Sequence, residues 1–96
     1  MQLINKQRNQ NQLDYFRRRM RFTTSHVARL LGHQDASTLS DYERGDRLPS
    51  LINALRLGII LRVPVEFLFP RLYNGLREKI RSEEQLLAVP EQQVLF

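Results

Sequence analysis

The sequence of 96 residues predicts an all-α fold, and three observations support this fold class. Apolar residues recur at three- and four-residue spacing in several short stretches, which is the period of a helix. Capping and turn residues separate these stretches, among them Thr23, Gly32, Gly45 and Ser50. No alternation of apolar and polar residues persists as it does in a strand. A chain of this length is about the size of one small domain, so we expect one hydrophobic core.

The first two predicted helices are short. Leu13 to Met20 forms the first helix, with Leu13, Phe16 and Met20 on one face at helical spacing. Thr23 is placed to cap the second helix, and Gly32 supplies the left-handed conformation that ends it. The apolar side of this second helix is expected to be buried and consists of Val27, Ala28, Leu30 and Leu31.

The third and fourth helices are bounded by the same kinds of residue. Asp35 is a candidate N-cap for a helix over Ser37–Arg44, which Gly45 ends. Pro49 and Ser50 then open a fourth helix. The apolar residues of this fourth helix are Leu51, Leu55, Leu57, Ile60 and Leu61.

Two further elements complete the predicted architecture. The pair Val63-Pro64 stops the fourth helix and starts a short turn that runs to Phe69. A last amphipathic segment extends from Arg71 to about Ala88. One face of this segment carries Leu72, Leu76, Ile80 and Leu87.

The ends of the chain differ from its middle in composition. Residues 5–12 contain six Asn and Gln, so residues 1–12 are predicted to be a flexible polar arm. Residues 13–69 form the predicted folded domain, and residues 70–89 the additional C-terminal helix, which either covers the domain or forms a dimer contact. Residues 90–96 are predicted to be a mobile tail, since Pro90 interrupts the helical pattern.

Composition and charge narrow the possible functions. The formal charge of +5 and the pI of about 10.4 favour polyanionic partners, and the basic excess lies in residues 1–34. With no cysteine, the chain has no disulfide, thiol nucleophile or thiolate metal site. There is no long apolar run and no signal-like N-terminus, so we expect a cytoplasmic protein without a membrane role.

A run of motifs in the middle of the chain sharpens these expectations. Thr24, Ala28, Gly32 and Leu39 stand where two helices joined by a tight turn need a helix start, a small residue, a turn glycine and a core residue. The segments that follow are Ser37-Thr38-Leu39-Ser40-Asp41-Tyr42-Glu43-Arg44-Gly45, Leu48-Pro49-Ser50 and Val65-Glu66-Phe67-Leu68-Phe69. Over residues 13–69 the chain resembles the Cro/lambda-repressor-like (Xre) family of DNA-binding regulators. The resemblance implies a five-helix helix-turn-helix domain whose third helix enters the major groove.

The resemblance also implies a set of DNA-binding residues. Thr24 matches a phosphate-holding residue, and Thr23 and Ser25 add hydroxyl groups at the same helix end, although capping alone also explains them. Arg44 and Arg47 are placed for phosphate contacts, with a solvated role as the alternative. The positions that match or adjoin the base-contacting residues are Ala36, Ser37, Thr38, Ser40 and Asp41. Asp41 either accepts a hydrogen bond from a base or is neutralised by Arg44.

Two further features concern the architecture of this domain. Arg17 and Glu43 match a pair that joins the first and third helices in the family, so we expect a structural ion pair. The turn from Gly32 is one residue longer than its commonest form, which leaves the register of the third helix open. His26 and His33 are too isolated for a metal site, and no cofactor is expected.

We therefore predict a sequence-specific DNA-binding transcriptional regulator, specifically a repressor. The alternative is a protein-interaction module, an antitoxin or adaptor, in which aspartates have weakened DNA binding. An enzyme is not expected, because no nucleophile, base and orienting group occur together. Exposed apolar positions at Ile52, Ile59 and Phe67 need covering, within the chain or by a homodimer. The operator and any small-molecule effector are not specified by the sequence.

Overall fold

The fold is described from a computed structural model, for residues 10–88 of the chain. All regular elements in this range are helices. In chain order they are α1 (Leu13–Arg19), α2 (Thr24–Leu30), α3 (Ser37–Arg44), α4 (Leu51–Leu61), α5 (Val65–Leu68) and α6 (Pro70–Leu87). The all-α prediction is confirmed, as are five short helices followed by an additional C-terminal helix.

The first five helices and the residue after α5 share one hydrophobic core. Burying an aliphatic side chain of this kind is worth roughly 1.5–3 kcal/mol, so the cluster outweighs any single polar contact. The buried members are Leu13, Val27, Leu31, Leu39, Tyr42, Leu57, Leu61, Leu68 and Phe69. Because α1 to α5 each contribute to this cluster, the short helices are held in place by tertiary packing rather than by their own propensity.

The helix boundaries follow local capping rules. The hydroxyl of Thr23 accepts a hydrogen bond from the backbone N–H of His26, and Ser50 does the same for Asn53. Gly32 and Gly45 adopt left-handed conformations, with φ of 86° and 81°. The two side-chain caps and the two left-handed glycines therefore lie where the sequence predicted them.

The end of α4 differs from the prediction. The helix ends at Leu61, and Arg62 adopts the left-handed conformation with φ of 60°. A Cβ on Gly58 would lie 3.1 Å from the carbonyl oxygen of Val63, so glycine lets the chain fold back closely over the helix. The helix thus ends before the Val63-Pro64 pair that was expected to stop it.

Three leucines expected in the core lie at the surface: Leu30, Leu51 and Leu55. In α2 the buried stripe runs through Val27 and Leu31, four residues apart, and Leu30 is rotated away from it by one position. In α4 the deeply buried stripe is Leu57 and Leu61, again four apart. The prediction counted apolar residues without resolving which face they occupy.

The folded region begins earlier than predicted. Asn11 accepts a hydrogen bond from the N–H of Leu13 and donates its side-chain amide to the carbonyl of Tyr42, at 3.0 and 2.8 Å. The N–H of Gln12 donates to the carbonyl of Leu68 at 2.8 Å. Residues 11 and 12 therefore belong to the domain and not to a flexible arm. Residues 1–9 and 89–96 lie outside the described range, and with them most of the predicted arm and the whole tail.

The C-terminal helix α6 begins at Pro70, a favourable first helical residue, and none of its residues is buried. It contacts the domain mainly through the adjoining α5. Ile52, Ile59 and Phe67 remain 61%, 77% and 58% exposed. The possibility that α6 covers these three residues within the same chain is therefore contradicted by the structure.

Candidate DNA-binding surface

Helix α3 has one buried side and one open side. Leu39 and Tyr42 face the core and are almost fully buried, whereas Ser37 and Arg44 are exposed. The open side continues through the half-buried residues Ala36, Thr38, Ser40 and Asp41. Ser37 and Arg44 are therefore the residues on this side that a large partner reaches most readily.

The start of α3 is organised by Asp35. Its carboxylate accepts hydrogen bonds from the N–H of Ser37 at 2.9 Å and from the Ser37 hydroxyl at 2.6 Å. These bonds lower the pKa of Asp35 below its ordinary value. Asp35 was the predicted N-cap, but the N-cap position is occupied by Ala36, which offers no side-chain acceptor, so Asp35 acts from one residue before the cap. The Ser37 hydroxyl keeps its lone pairs free to accept a further bond.

Arg44 lies between two carboxylates on the open side. Its Nη2 donates to Oδ1 of Asp41, and its Nε donates to Oδ2 of Asp46 at 2.9 Å. The bond with Asp46, followed by the charges of Asp46 and Asp41, raises the pKa of Arg44 above its ordinary value. Asp41 is thus neutralised by Arg44, which was one of the two expected alternatives. Together the three side chains carry a net charge of −1.

A second two-carboxylate arginine, Arg17, lies in the interior between α1 and α3. Its Nε and Nη2 donate to the two carboxylate oxygens of Glu43 at 2.6 and 3.2 Å, and Nη2 also donates to Asp14 at 2.7 Å. Its Nη1 donates to the carbonyl of Phe22 at 3.0 Å. The hydrogen bond with Glu43 is the main reason that the pKa of Arg17 is raised. The expected Arg17–Glu43 pair is therefore present and fixes α3 against α1.

The N-terminus of α2 carries the three expected hydroxyl residues. Thr23 is exposed and uses its hydroxyl oxygen as the helix cap, Thr24 is half-buried, and Ser25 is exposed. The capping interpretation of Thr23 is thus observed directly. Ser25 and Thr24 carry hydroxyl groups at the same helix end.

A family model described as helix-turn-helix matches residues 17–68, which is more than half of the sequence. The chain belongs to the Cro-type, Xre-like helix-turn-helix family. Comparisons with curated proteins and with solved structures give no match. Membership in the family makes this protein a DNA-binding regulator in general terms, of a kind that is typically not enzymatic.

The basic residues of this Xre-like domain fall into two groups. Arg18 pairs with Asp14 at 2.7 Å, and Arg19 donates to the Tyr15 hydroxyl at 3.2 Å. The second group consists of exposed arginines that have no side-chain partner among the described residues. It includes Arg21, Arg29 and Arg47. The second group carries charge that a polyanion can reach without first breaking an ion pair.

Sequence reasoning identified Arg44 and Asp41 but missed Asp46 as a partner of Arg44. Asp46 reaches Arg44 because Gly45 turns the chain in a left-handed conformation directly after α3. A glycine followed by an acidic residue at the end of a helix that closes with arginine is the signal that could have found it.

Residues 10–88 contain neither a helix able to cross a membrane nor a cluster of metal-binding side chains. Of the helices between residues 10 and 88, none combines the length and the apolar character that crossing a bilayer requires. The same residues contain no cluster of three His, Asp or Glu side chains placed to hold a metal ion.

Proposed function

We propose that the protein is a sequence-specific transcriptional repressor whose helix α3 inserts in the major groove of double-stranded DNA. The observation that carries this proposal is the open side of α3 on a helix whose angle is fixed by the buried Arg17–Glu43 pair. A rigid helix with one accessible side matches the width of the major groove. The protein is cytoplasmic in this proposal. It represses transcription by occupying a promoter.

Base contacts in this proposal come from small side chains at the start of α3. The methyl group of Ala36 packs against a thymine methyl, and Ser37 accepts or donates at a base edge. Thr38 and Ser40 extend this contact along the helix. Asp41 contributes less than a free carboxylate, because Arg44 already occupies it.

Phosphate contacts come from both sides of α3. Thr24 with Thr23 and Ser25 approaches one strand, and Arg47 approaches the other. Arg47 is better suited to a phosphate than Arg44, because its exposed side chain has no carboxylate partner among the described residues. Arg44 reaches a phosphate only after exchanging Asp41 or Asp46 for it.

The proposed active form is a homodimer. Two copies of α3 about 34 Å apart contact successive major grooves on one side of the duplex, which requires an inverted repeat in the operator. Exposed apolar side chains on α4 and α6 give the dimer a surface to bury.

Selection of bound sequences from a random duplex pool tests this function. The expected result is an inverted repeat, with half-sites separated by about one helical turn. Recovery of no motif, with no binding to random duplex even at low salt, contradicts the proposal. A motif without two-fold symmetry retains DNA recognition but contradicts the dimer.

A second candidate function is a protein-interaction module, such as an antitoxin or adaptor, on the same fold. The observation that favours it is the acidic character of the open side, where Asp35, Asp41 and Asp46 accompany a single compensated arginine. Titration of random duplex separates the two functions. A repressor binds at low salt and is released as salt rises, whereas a pure adaptor shows no binding at either.

A further inference from the structure

A groove with apolar walls lies where the start of α4, helix α5 and the start of α6 meet. Its volume is about 320 Å³, and three stretches of the chain provide its walls. The apolar wall residues include Leu48 and Ala54, Val65 and Phe69, and Leu72 and Leu76. Of these, Leu48, Leu72 and Leu76 are exposed in the described part of the chain. An open apolar groove of this size is suited to receive apolar side chains from a further segment.

The groove is lined by a single charged side chain, that of Glu66. Glu66 is exposed, and it forms no ion pair with any residue between 10 and 88. A carboxylate beside apolar walls favours an occupant that carries apolar side chains and a positive charge close together. A second negative charge at this place would be repelled.

Two segments of the chain lie outside the described residues, and their charges differ in sign. The first, residues 1–9, contains Leu3-Ile4 and then Lys6, and it has no acidic residue. The second, residues 89–96, also contains apolar residues, but its one charged side chain is that of Glu91. Only the first segment therefore matches both the apolar walls and the negative charge of the groove.

The chain enters the folded domain beside this groove. The backbone N–H of Gln12 donates to the carbonyl of Leu68 at 2.8 Å, and the next residue after Leu68 is the wall residue Phe69. Ile4 precedes Gln12 by eight residues, and eight extended residues span up to about 26 Å. A segment that is attached one residue away from the groove can therefore fold back into it with length to spare.

We propose that residues 1–9 cover this groove of their own chain, with Leu3 and Ile4 against its apolar walls and Lys6 beside the carboxylate of Glu66. Attachment at Gln12 gives the segment a high effective concentration at the groove, which favours it over the same segment of a second copy. The contact covers an apolar surface that residues 10–88 leave open. The inference does not rest on the proposed DNA binding.

A tryptophan in place of Ile4 reports on this contact, because the chain contains no tryptophan of its own. Ile4→Trp is made in the full chain, and quenching of the indole fluorescence by acrylamide is measured. We expect quenching about threefold weaker than in the same chain unfolded in guanidinium chloride, because the indole lies against apolar walls. Quenching as strong as in the unfolded chain overturns the proposal. Protection that grows with protein concentration assigns the groove to a second copy and also overturns it.

A charge exchange tests where the segment lies. In the Ile4→Trp chain, Glu66→Lys brings two positive charges together at Lys6, so the ratio of docked to undocked segment is expected to fall about tenfold. Lys6→Glu, added to the same chain, makes the two charges opposite again, and quenching returns to its weak level. Quenching that stays weak in Glu66→Lys, or that does not return with the second change, contradicts the contact between Lys6 and Glu66.

Two matched controls accompany these variants in the Ile4→Trp chain. Glu78→Lys makes the same charge change at an exposed position of α6 that does not line the groove, and it leaves quenching unchanged. Leu3→Ser removes an apolar side chain from the segment and strengthens quenching, whereas Gln2→Ser at the preceding position has no effect. Circular dichroism checks that all variants keep the helix content of the domain. Equal quenching in Leu3→Ser and Gln2→Ser contradicts the contact of Leu3 with the groove.

Discussion

Two arginines in this protein each bind two carboxylates, and the difference between them lies in burial. Arg17 holds Asp14 and Glu43 with a side chain only 10% exposed, whereas Arg44 holds Asp41 and Asp46 with a side chain 59% exposed. The buried cluster joins α1 to α3, and removal of Glu43 leaves the buried Arg17 charge incompletely paired. The exposed cluster can exchange its partners with solvent or with a phosphate. The same grouping of one arginine with two carboxylates thus fixes α1 against α3 in the interior, and leaves a charge that can change partners at the exposed end of α3.

The largest expected effect comes from breaking the buried cluster. Glu43→Ala removes the bidentate partner of Arg17 and is expected to lower the free energy of unfolding by about 3 kcal/mol. Chemical denaturation followed by circular dichroism measures this change. Glu43→Gln is the control for side-chain packing, since it keeps the volume and one acceptor and costs less. A loss as small as that of an exposed pair contradicts the architectural role of Arg17.

The next effect concerns sequence preference at the start of α3. Ser37→Ala removes an exposed hydroxyl at the start of α3, and discrimination at one base position is expected to change by roughly 1 kcal/mol. Competition binding with single-position variants of a selected duplex measures it. Ser82→Ala on α6 is the matched control and leaves all preferences unchanged. Equal changes at every position contradict a base contact by Ser37.

A smaller effect is expected at the exposed cluster of Arg44, Asp41 and Asp46, where a substitution raises the affinity for DNA. Asp46→Asn removes one of the two carboxylates of Arg44, so the affinity for random duplex is expected to rise about threefold at low salt. The rise disappears at high salt because the effect is electrostatic. Glu84→Gln removes a carboxylate from the exposed pair with Arg81 on α6 and serves as the control. Unchanged affinity in Asp46→Asn shows that DNA does not approach this cluster.

The smallest effect on stability is expected for Arg44→Ala. Both of its ion pairs are exposed, and pairs of this kind contribute little to folding, so the Tm stays close to that of the wild type. Binding to all DNA sequences weakens alike, because Asp41 and Asp46 are left uncompensated at the surface. Thermal unfolding and duplex titration on the same sample separate the two effects. A Tm loss comparable with that of Glu43→Ala removes the distinction between the two clusters.

The sequence predicted those parts of the structure that depend on neighbouring residues. The caps Thr23 and Ser50 and the left-handed Gly32 and Gly45 act within a few residues, so local rules identify them. The face of an apolar residue is harder to predict when leucines are adjacent. Leu30 and Leu31 are both apolar, and only the packing of α2 decides which one is buried.

The features that local sequence rules do not identify depend on segments that are distant in the chain. Asn11 and Gln12 are ordered because folding brings Tyr42 and Leu68 beside them, and composition alone made them part of a polar arm. The pair Arg17–Glu43 spans 26 positions and came from the family resemblance rather than from spacing. The exposure of α6 likewise depends on the packing of the whole fold, because no residue of this helix is buried by the described segments, residues 10–88.

The open side of α3 is tested most directly by the accessibility of single thiols. The chain has no cysteine, so Ser37→Cys and Ser82→Cys each introduce one reactive group, on α3 and on α6 respectively. Both serines are exposed in the free protein. With a duplex bound, alkylation is expected to slow strongly at the position on α3 and to stay unchanged at the position on α6. An alkylation rate at the α3 position that stays the same in a complex known to contain bound DNA would contradict insertion of α3.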